Sequence, residues 1–396
     1  MGSLGEERGV FRYDYCLIAI VVLLTLLGLV TLYSASYLFA LNQPDRFRSG
    51  LTPITSNIIA SVIMVALFPI LALIELDWLK KGWVIFALLL FTVVLNMLPF
   101  LSFFQKSNHR PGVDAMRWIV IKIGGRDLIS FQPSELVKIV LPLYLAYILD
   151  KNKDKLDTFV YGPLPPAFWT GVFCLLVLYQ SNFSEAVLIA LTSFTICFIS
   201  GIRLHWFVIA LGVLVVAGLF LIYGDRDGRW YHRIANFGRQ NLDPTDTGYQ
   251  ITLSVDAVRS GGFWGKGIGQ GTLKTRMPEV HGDFVFASYA EESGFLGVLF
   301  YLFLIGIYAG INYLAAWRNR DFFAQLLAFG LVTPVVVQTM MNIAVVADMI
   351  PTTGVPLPFV SSGGSSLLMT LAGAALLVNV ARRHILSDSR ERQYAR

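Results

Sequence analysis

Apolar runs of bilayer-crossing length recur along the chain, separated by short polar connections and by two longer polar stretches. A helix needs roughly 20 such residues to cross the hydrocarbon core. The runs lie near residues 15–39, 55–75, 82–104, 133–149, 167–181, 184–200, 203–223, 284–310, 323–347 and 356–381. They predict an all-α polytopic membrane protein of about ten transmembrane helices. Residues 224–283, between the seventh and eighth spans, form the large polar stretch and predict an extracytoplasmic loop. The first run is too long for a signal-peptide core and is expected to persist as a helix. One membrane domain is expected over residues 15–383, after a cytoplasmic N-terminus (1–14) and before a polar, disordered cytoplasmic tail (384–396).

Composition strengthens this picture. Of 396 residues, 55% are hydrophobic and 14% charged, and the mean hydropathy is +0.63. A soluble domain carries about 25% charged residues, so a soluble enzyme and a nucleic-acid-binding module are both excluded. The net charge of +5 matters through its placement. With both ends inside, Lys80, Lys81, Lys151, Lys153, Lys155, Arg203, Arg318, Arg320, Arg382 and Arg383 fall on cytoplasmic connections. Two external stretches break the rule. Residues 105–130 hold Lys106, Arg110, Arg117, Lys122 and Arg126, and 224–283 hold eight cations including Arg233, Lys274 and Arg276. Topology gains nothing from them, which suggests an anionic ligand, although a long translocated loop carries charge freely. Cys16, Cys174 and Cys197 sit inside predicted helices without disulfide or metal-ligand spacing and read as small apolar residues.

The polar stretches have structure of their own. Trp118 to Ile123 is rich in β-branched residues, Gly124-Gly125 signals a turn and Asp127 to Ile129 returns, predicting a hairpin on the outer face. Ile251, Ser254, Val255 and Val258 recur at helical spacing and predict an amphipathic interfacial helix. The glycines from Gly261 to Gly271 lack any nucleotide-binding context and predict a tight re-entrant turn.

Ionisable residues at membrane depth are costly and therefore informative. Glu135 and Lys138 share one helix face, either as a structural ion pair or as the lining of a polar cavity. Gln180, Asn182 and Glu185 form a second polar cluster, and Gln338, Asn342 and Asp348 a third. Asp283 stands where the long loop re-enters the membrane and is either a helix N-cap or a general base. Burial against Phe284-Val285-Phe286 would raise its pKa, and Arg276 or His281 would lower it. Glu291 and Glu292 need a partner that the sequence does not identify. Three prolines and several glycines between Pro351 and Gly364 predict irregular backbone beside a cavity.

Several segments, in order, resemble the FtsW/RodA/SpoVE (SEDS) family. They are Gly28 to Ser36, Arg117-Trp118-Ile119, Phe131 to Lys138, Gly248-Tyr249-Gln250, Ser260-Gly261-Gly262, Pro278 to Phe284, and Val355 to Ser361 with Gly363-Gly364-Ser365. The resemblance implies a peptidoglycan glycosyltransferase of the bacterial cytoplasmic (inner) membrane, polymerising lipid II on the extracytoplasmic face beside a class B penicillin-binding protein transpeptidase. It implies Asp283 as the catalytic residue. Arg117, Trp118, Glu135, Lys138, Arg233, Gln250, Lys274, Arg276, Glu279, His281 and Ser361 are then candidates for substrate binding. No cofactor is certain; a divalent cation (Mg or Mn) at the pyrophosphate is the candidate. Where the family has Gln-Pro-Asp, this chain has Gln180-Ser181-Asn182, and the carboxylate reappears three positions later as Glu185. A flippase for lipid-linked precursors and a non-catalytic transpeptidase scaffold are the competing readings.

Overall fold

The computed structural model describes residues 13–42, 53–101, 117–123, 126–209, 212, 247–276 and 280–394. The helices are α1 (Tyr13–Asn42), α2 (Pro53–Leu73), α3 (Gly82–Met97), α4 (Ser134–Lys151), α5 (Leu164–Tyr179), α6 (Phe183–Ile199), α7 (Thr247–Gly261), α8 (Val285–Arg318), α9 (Phe322–Val346) and α10 (Gly364–Tyr394). A hairpin of β1 (Ile119–Ile123) and β2 (Arg126–Phe131) precedes α4. It pairs antiparallel from Ile119 opposite Phe131 to Ile123 opposite Arg126, with an irregularity after Ile121.

Among the described residues, 6 helices are long and apolar enough to cross a membrane: α1, α2, α3, α8, α9 and α10. The chain is thus a multi-pass membrane protein. Three other expected spans are also helical, but α5 and α6 have only 16 and 17 residues, and α4 carries Glu135 and Lys138 in 18. The expected seventh span, 203–223, is helical at 204–209 and at 212, while 210, 211 and 213–223 lie outside the described residues, as do 224–246 and 277–279 of the long loop. The hairpin and α7 form where the residue patterns place them.

Two boundaries differ from expectation. The last span begins at Gly364 rather than near 356, because Pro356 and Pro358 lack the N–H a helix needs. Its helix also runs on to Tyr394, through the tail expected to be disordered; the Leu, Arg, Glu and Gln there are good helix formers. Helix α8 is longer than expected and breaks at Gly294, whose φ of 65° is left-handed.

The bundle is organised around α9, which packs on α4, α6, α8 and α10. In α9, 67% of the spanning segment is buried, against 22% in α2, whose Val62, Val65 and Ile70 are exposed. Apolar residues facing outward are stable there because lipid, not water, surrounds them. Gly330 lets α9 approach its neighbours, since a Cβ would meet Ile196 at 2.6 Å and Pro142 at 2.8 Å.

Polar contacts tie the two ends separately. At one end the Lys80 ammonium donates to Asp321 at 2.7 Å, Arg318 donates to the Tyr13 hydroxyl at 2.6 Å, and the Asn379 amide donates to the carbonyls of Leu71 and Ile74. Lys80 and Arg318 are among the cations assigned to the inside by the charge pattern. The hairpin, α7, the turn at 280–284 and the irregular 351–363 segment gather at the other end.

Candidate active site

Asp283 lies in a turn, residues 280–284, that delivers the chain into α8. The N-cap position of α8 is Phe284, not Asp283. Three successive backbone carbonyls of this turn are held from outside it. The Ser362 amide donates to the His281 carbonyl at 2.7 Å. The Ser361 hydroxyl donates to the Gly282 carbonyl at 2.7 Å. The Asn342 amide donates to the Asp283 carbonyl at 2.9 Å and to the Val355 carbonyl, also at 2.9 Å. The anchors are themselves anchored: Asn57 of α2 donates to the Ser361 carbonyl and accepts from the Gly363 amide, both at 3.0 Å. A turn has few internal hydrogen bonds, so these external ones fix where the half-buried carboxylate stands. That carboxylate lies beside Gly354, where an added Cβ would come within 3.5 Å of Oδ2.

His281 is half-buried, and burial lowers its pKa from the ordinary value. Burial thus favours the neutral imidazole. Arg276 is exposed, nine residues before Val285.

Lys274 is buried, at 2% exposure. Its ammonium pairs with Glu292 and donates to the Ser34 hydroxyl at 2.8 Å and the Ser34 carbonyl at 3.0 Å. Glu291 accepts from Lys266 at 2.7 Å and from the Thr272 amide at 2.9 Å. The acidic pair that lacked a partner in sequence thus receives two lysines, Lys266 from the glycine-rich segment and Lys274 from just after it. The same segment enters the break in α8: the amides of Lys266 and Gly267 donate to the carbonyls of Glu291 and Glu292, and the amides of Phe295 and Leu296 donate to those of Gly262 and Phe263. The loop replaces the hydrogen bonds the broken helix cannot make, and Lys274 serves that joint rather than an open anion site.

In the bundle, Lys138 lies between two carboxylates, Glu135 at 2.6 Å and Glu185 at 3.2 Å. The displaced carboxylate is one helical turn into α6 and reaches the lysine from there. Arg117 binds the carbonyls of Gln180, at 3.2 Å, and Ser181, at the C-terminus of α5, where a helix favours a cation. Its charge also acts on Glu185. Glu135 and Lys138 line a small cavity between α4, α9 and α10, with room for about one water, which Gln338 and Thr370 also line.

The structure therefore brings His281, Asp283 and Ser361 together, and separately Arg117, Glu135, Lys138 and Glu185. Ser361 spends its hydroxyl on the backbone, accepting from the Leu357 amide at 2.7 Å as well as donating to Gly282. Trp118 and Gln250 are half-buried, at the foot of the hairpin and on α7. Arg233 and Glu279 lie outside the described residues. Asn57, Ser34 and Lys266 were not distinguishable in sequence, since single polar residues carry no periodic signal. Among the described residues no three of His, Cys, Asp and Glu converge as a metal cradle would require.

Comparison with known proteins decides the family. The FtsW/RodA/SpoVE profile, described as that of a cell cycle protein, matches residues 14–385. The chain belongs to the FtsW/RodA/SpoVE family. Relatives within this family include a probable peptidoglycan glycosyltransferase FtsW of Geobacter sulfurreducens, 33% identical over 376 residues (94% of this chain, 96% of that one). The probable FtsW of Bacillus subtilis is 34% identical over 396 aligned positions (96% and 93%). Stage V sporulation protein E of Bacillus subtilis is 30% identical over 372 (93% and 97%). The FtsW/RodA/SpoVE fold is matched by a chain of a peptidoglycan synthase complex described as coordinating polymerization and crosslinking, with TM-score 0.74 at 24% identity (94% and 99% covered). RodA of Thermus thermophilus matches with TM-score 0.65 at 24% identity (95% and 98%).

Proposed function

We propose that this chain is a peptidoglycan glycosyltransferase that polymerises lipid II at the extracytoplasmic face of a bacterial cytoplasmic membrane, alongside a class B penicillin-binding protein transpeptidase. One membrane domain, residues 15–383, with about ten spans and a long external loop between the seventh and eighth, carries the reaction. The observation supporting it most directly is the Asp283 turn, with three consecutive carbonyls tethered and its carboxylate left half-buried. A general base must be held at hydrogen-bond reach of the proton it removes, and this turn is built to hold one.

Asp283 takes the proton from the acceptor sugar's 4-hydroxyl as that oxygen attacks the donor's anomeric carbon. The bond from that carbon to the pyrophosphate oxygen breaks, and the polyprenyl pyrophosphate leaves with its electron pair. One displacement inverts the α-linked donor to a β-linked product. A positioned base is worth about 10²–10⁴-fold in rate. Exposed Arg276 is the described cation best placed to meet the departing phosphates, because Lys274 is neutralised by Glu292. Any divalent cation, Mg or Mn, would ride on the pyrophosphate oxygens.

The test is polymerisation of lipid II by the purified chain with its transpeptidase partner. Asp283→Asn keeps the shape and removes the base, so glycan product should fall at least about 10²-fold. Equal product from both proteins removes Asp283 from the mechanism. Lipid movement across vesicles with no polymer under any condition would establish transport instead.

A further inference from the structure

Between α7 and the break in α8, the chain turns two aromatic side chains outward. Trp264 is 79% exposed, and Phe263 and Ile268 are exposed beside it. Apolar area left in water costs free energy in proportion to its size, so large exposed neighbours on one loop mark a surface that something covers. The loop holds them there. The Phe295 and Leu296 amides donate to the Gly262 and Phe263 carbonyls, and the Phe263 ring lies on Phe295 with centroids 5.9 Å apart. Gly265 has a φ of 82°, and a Cβ there would stand 2.2 Å from the Glu292 carbonyl oxygen, so the backbone is pressed against the broken helix.

Height along the span points to what covers it. Beyond the break, α8 runs as helix from Phe295 to Arg318, a rise of about 35 Å at about 1.5 Å per residue. The hydrocarbon core is about 30 Å thick, so with Arg318 at one boundary Phe295 falls at the other. Phe295, Leu299 and Phe303, successive turns of one helix face, are exposed and form an apolar ridge at acyl-chain depth. The ridge ends at Phe263 and Trp264. At that level hydrocarbon gives way to headgroups, where Trp is enriched because its ring prefers apolar surroundings and its N–H polar ones. Arg259, exposed in the last turn of α7, adds a cation suited to headgroup phosphates shortly before Phe263. We propose that Phe263 and Trp264 form an aromatic anchor embedded in the headgroup region of the leaflet opposite Arg318. The indole favours lipid over a partner's transmembrane helix as the occupant, since its ring continues the ridge while its N–H and Arg259 meet polar headgroup atoms. The anchor is independent of whatever reaction the Asp283 turn serves.

The test compares the full chain with Trp264→Phe in phosphatidylethanolamine–phosphatidylglycerol vesicles, alone and beside the transpeptidase partner proposed above. The difference between the two fluorescence spectra is the Trp264 signal. With lipids brominated near the glycerol end, that signal should lose most of its intensity, and it should lose less with bromines near the acyl-chain ends. Iodide on both sides of the membrane should quench it weakly, and the partner should leave all three results unchanged. Strong iodide quenching with no effect of either brominated lipid places Trp264 in water and overturns the proposal. Strongest quenching by chain-end bromines places the loop in the hydrocarbon core and overturns the assigned depth. Loss of bromolipid quenching when the partner is added gives the surface to the partner, and the lipid anchor is then refuted.

Discussion

Ser361→Ala removes one oxygen and tests whether the Asp283 turn is held from outside. The hydroxyl accepts from the Leu357 amide and donates to the Gly282 carbonyl, both at 2.7 Å, and Ser361 is 4% exposed. The substitution leaves the buried Leu357 amide and the part-buried Gly282 carbonyl without their partner. At about 1–3 kcal/mol each, the total is roughly 2–6 kcal/mol before relaxation. Part of this appears as lost global stability and part as displacement of residues 281–283, since Gly282 keeps only its neighbours' anchors through Ser362 and Asn342. If about 1.4 kcal/mol falls on the turn, the population with Asp283 in place drops tenfold. The assay is single-turnover glycan formation at saturating lipid II, measured beside thermal unfolding in the same detergent. We expect a rate at least about tenfold lower at a temperature where the variant is still folded. Asn342→Leu should lower the rate too, and the double variant should lose less than the sum, because both act through one turn. A folded Ser361→Ala protein with the wild-type rate would refute the claim that these tethers position the carboxylate.

Two further outcomes follow from the surroundings of the site. Lys274→Met strands buried Glu292 and should destabilise by about 3–5 kcal/mol, read by denaturant or thermal unfolding; Lys274→Met with Glu292→Leu should recover much of that loss, and a fully stable single variant would contradict the buried pair. For pH, burial depresses the His281 pKa in the folded protein, so the unfolded state binds the proton more readily. Its contribution is present above the ordinary His value of about 6.5 and is lost as pH falls through the lower folded value. Unfolding temperature should therefore decline as pH falls below about 6.5 more steeply in wild type than in His281→Gln, and parallel curves would show that His281 does not contribute.

Much of the outline is legible in the chain because each signal is local. Runs of bilayer length specify helices whatever surrounds them, and Gly124-Gly125 between β-branched residues specifies a hairpin. The prolines at 356 and 358 mark irregular backbone for the same reason, although they also move the start of α10 to Gly364. Asp283 was identifiable from its position at a loop-to-membrane boundary and from the motif around it.

Pairing was not legible, because it depends on which helix faces meet across long separations in sequence. Lys274 is one more basic residue in a basic loop until the bundle places it on Glu292 and Ser34. Glu185 looks displaced until α6 turns it toward Lys138. Ser361 carries a binding-site signature in sequence, yet the fold uses it to hold Gly282. Hydrophobic length and turn chemistry, properties of neighbouring residues, are thus determined by the sequence alone. Which charges neutralise each other is decided only when the packed helices bring distant residues within hydrogen-bond reach in a medium where an unpaired charge is costly.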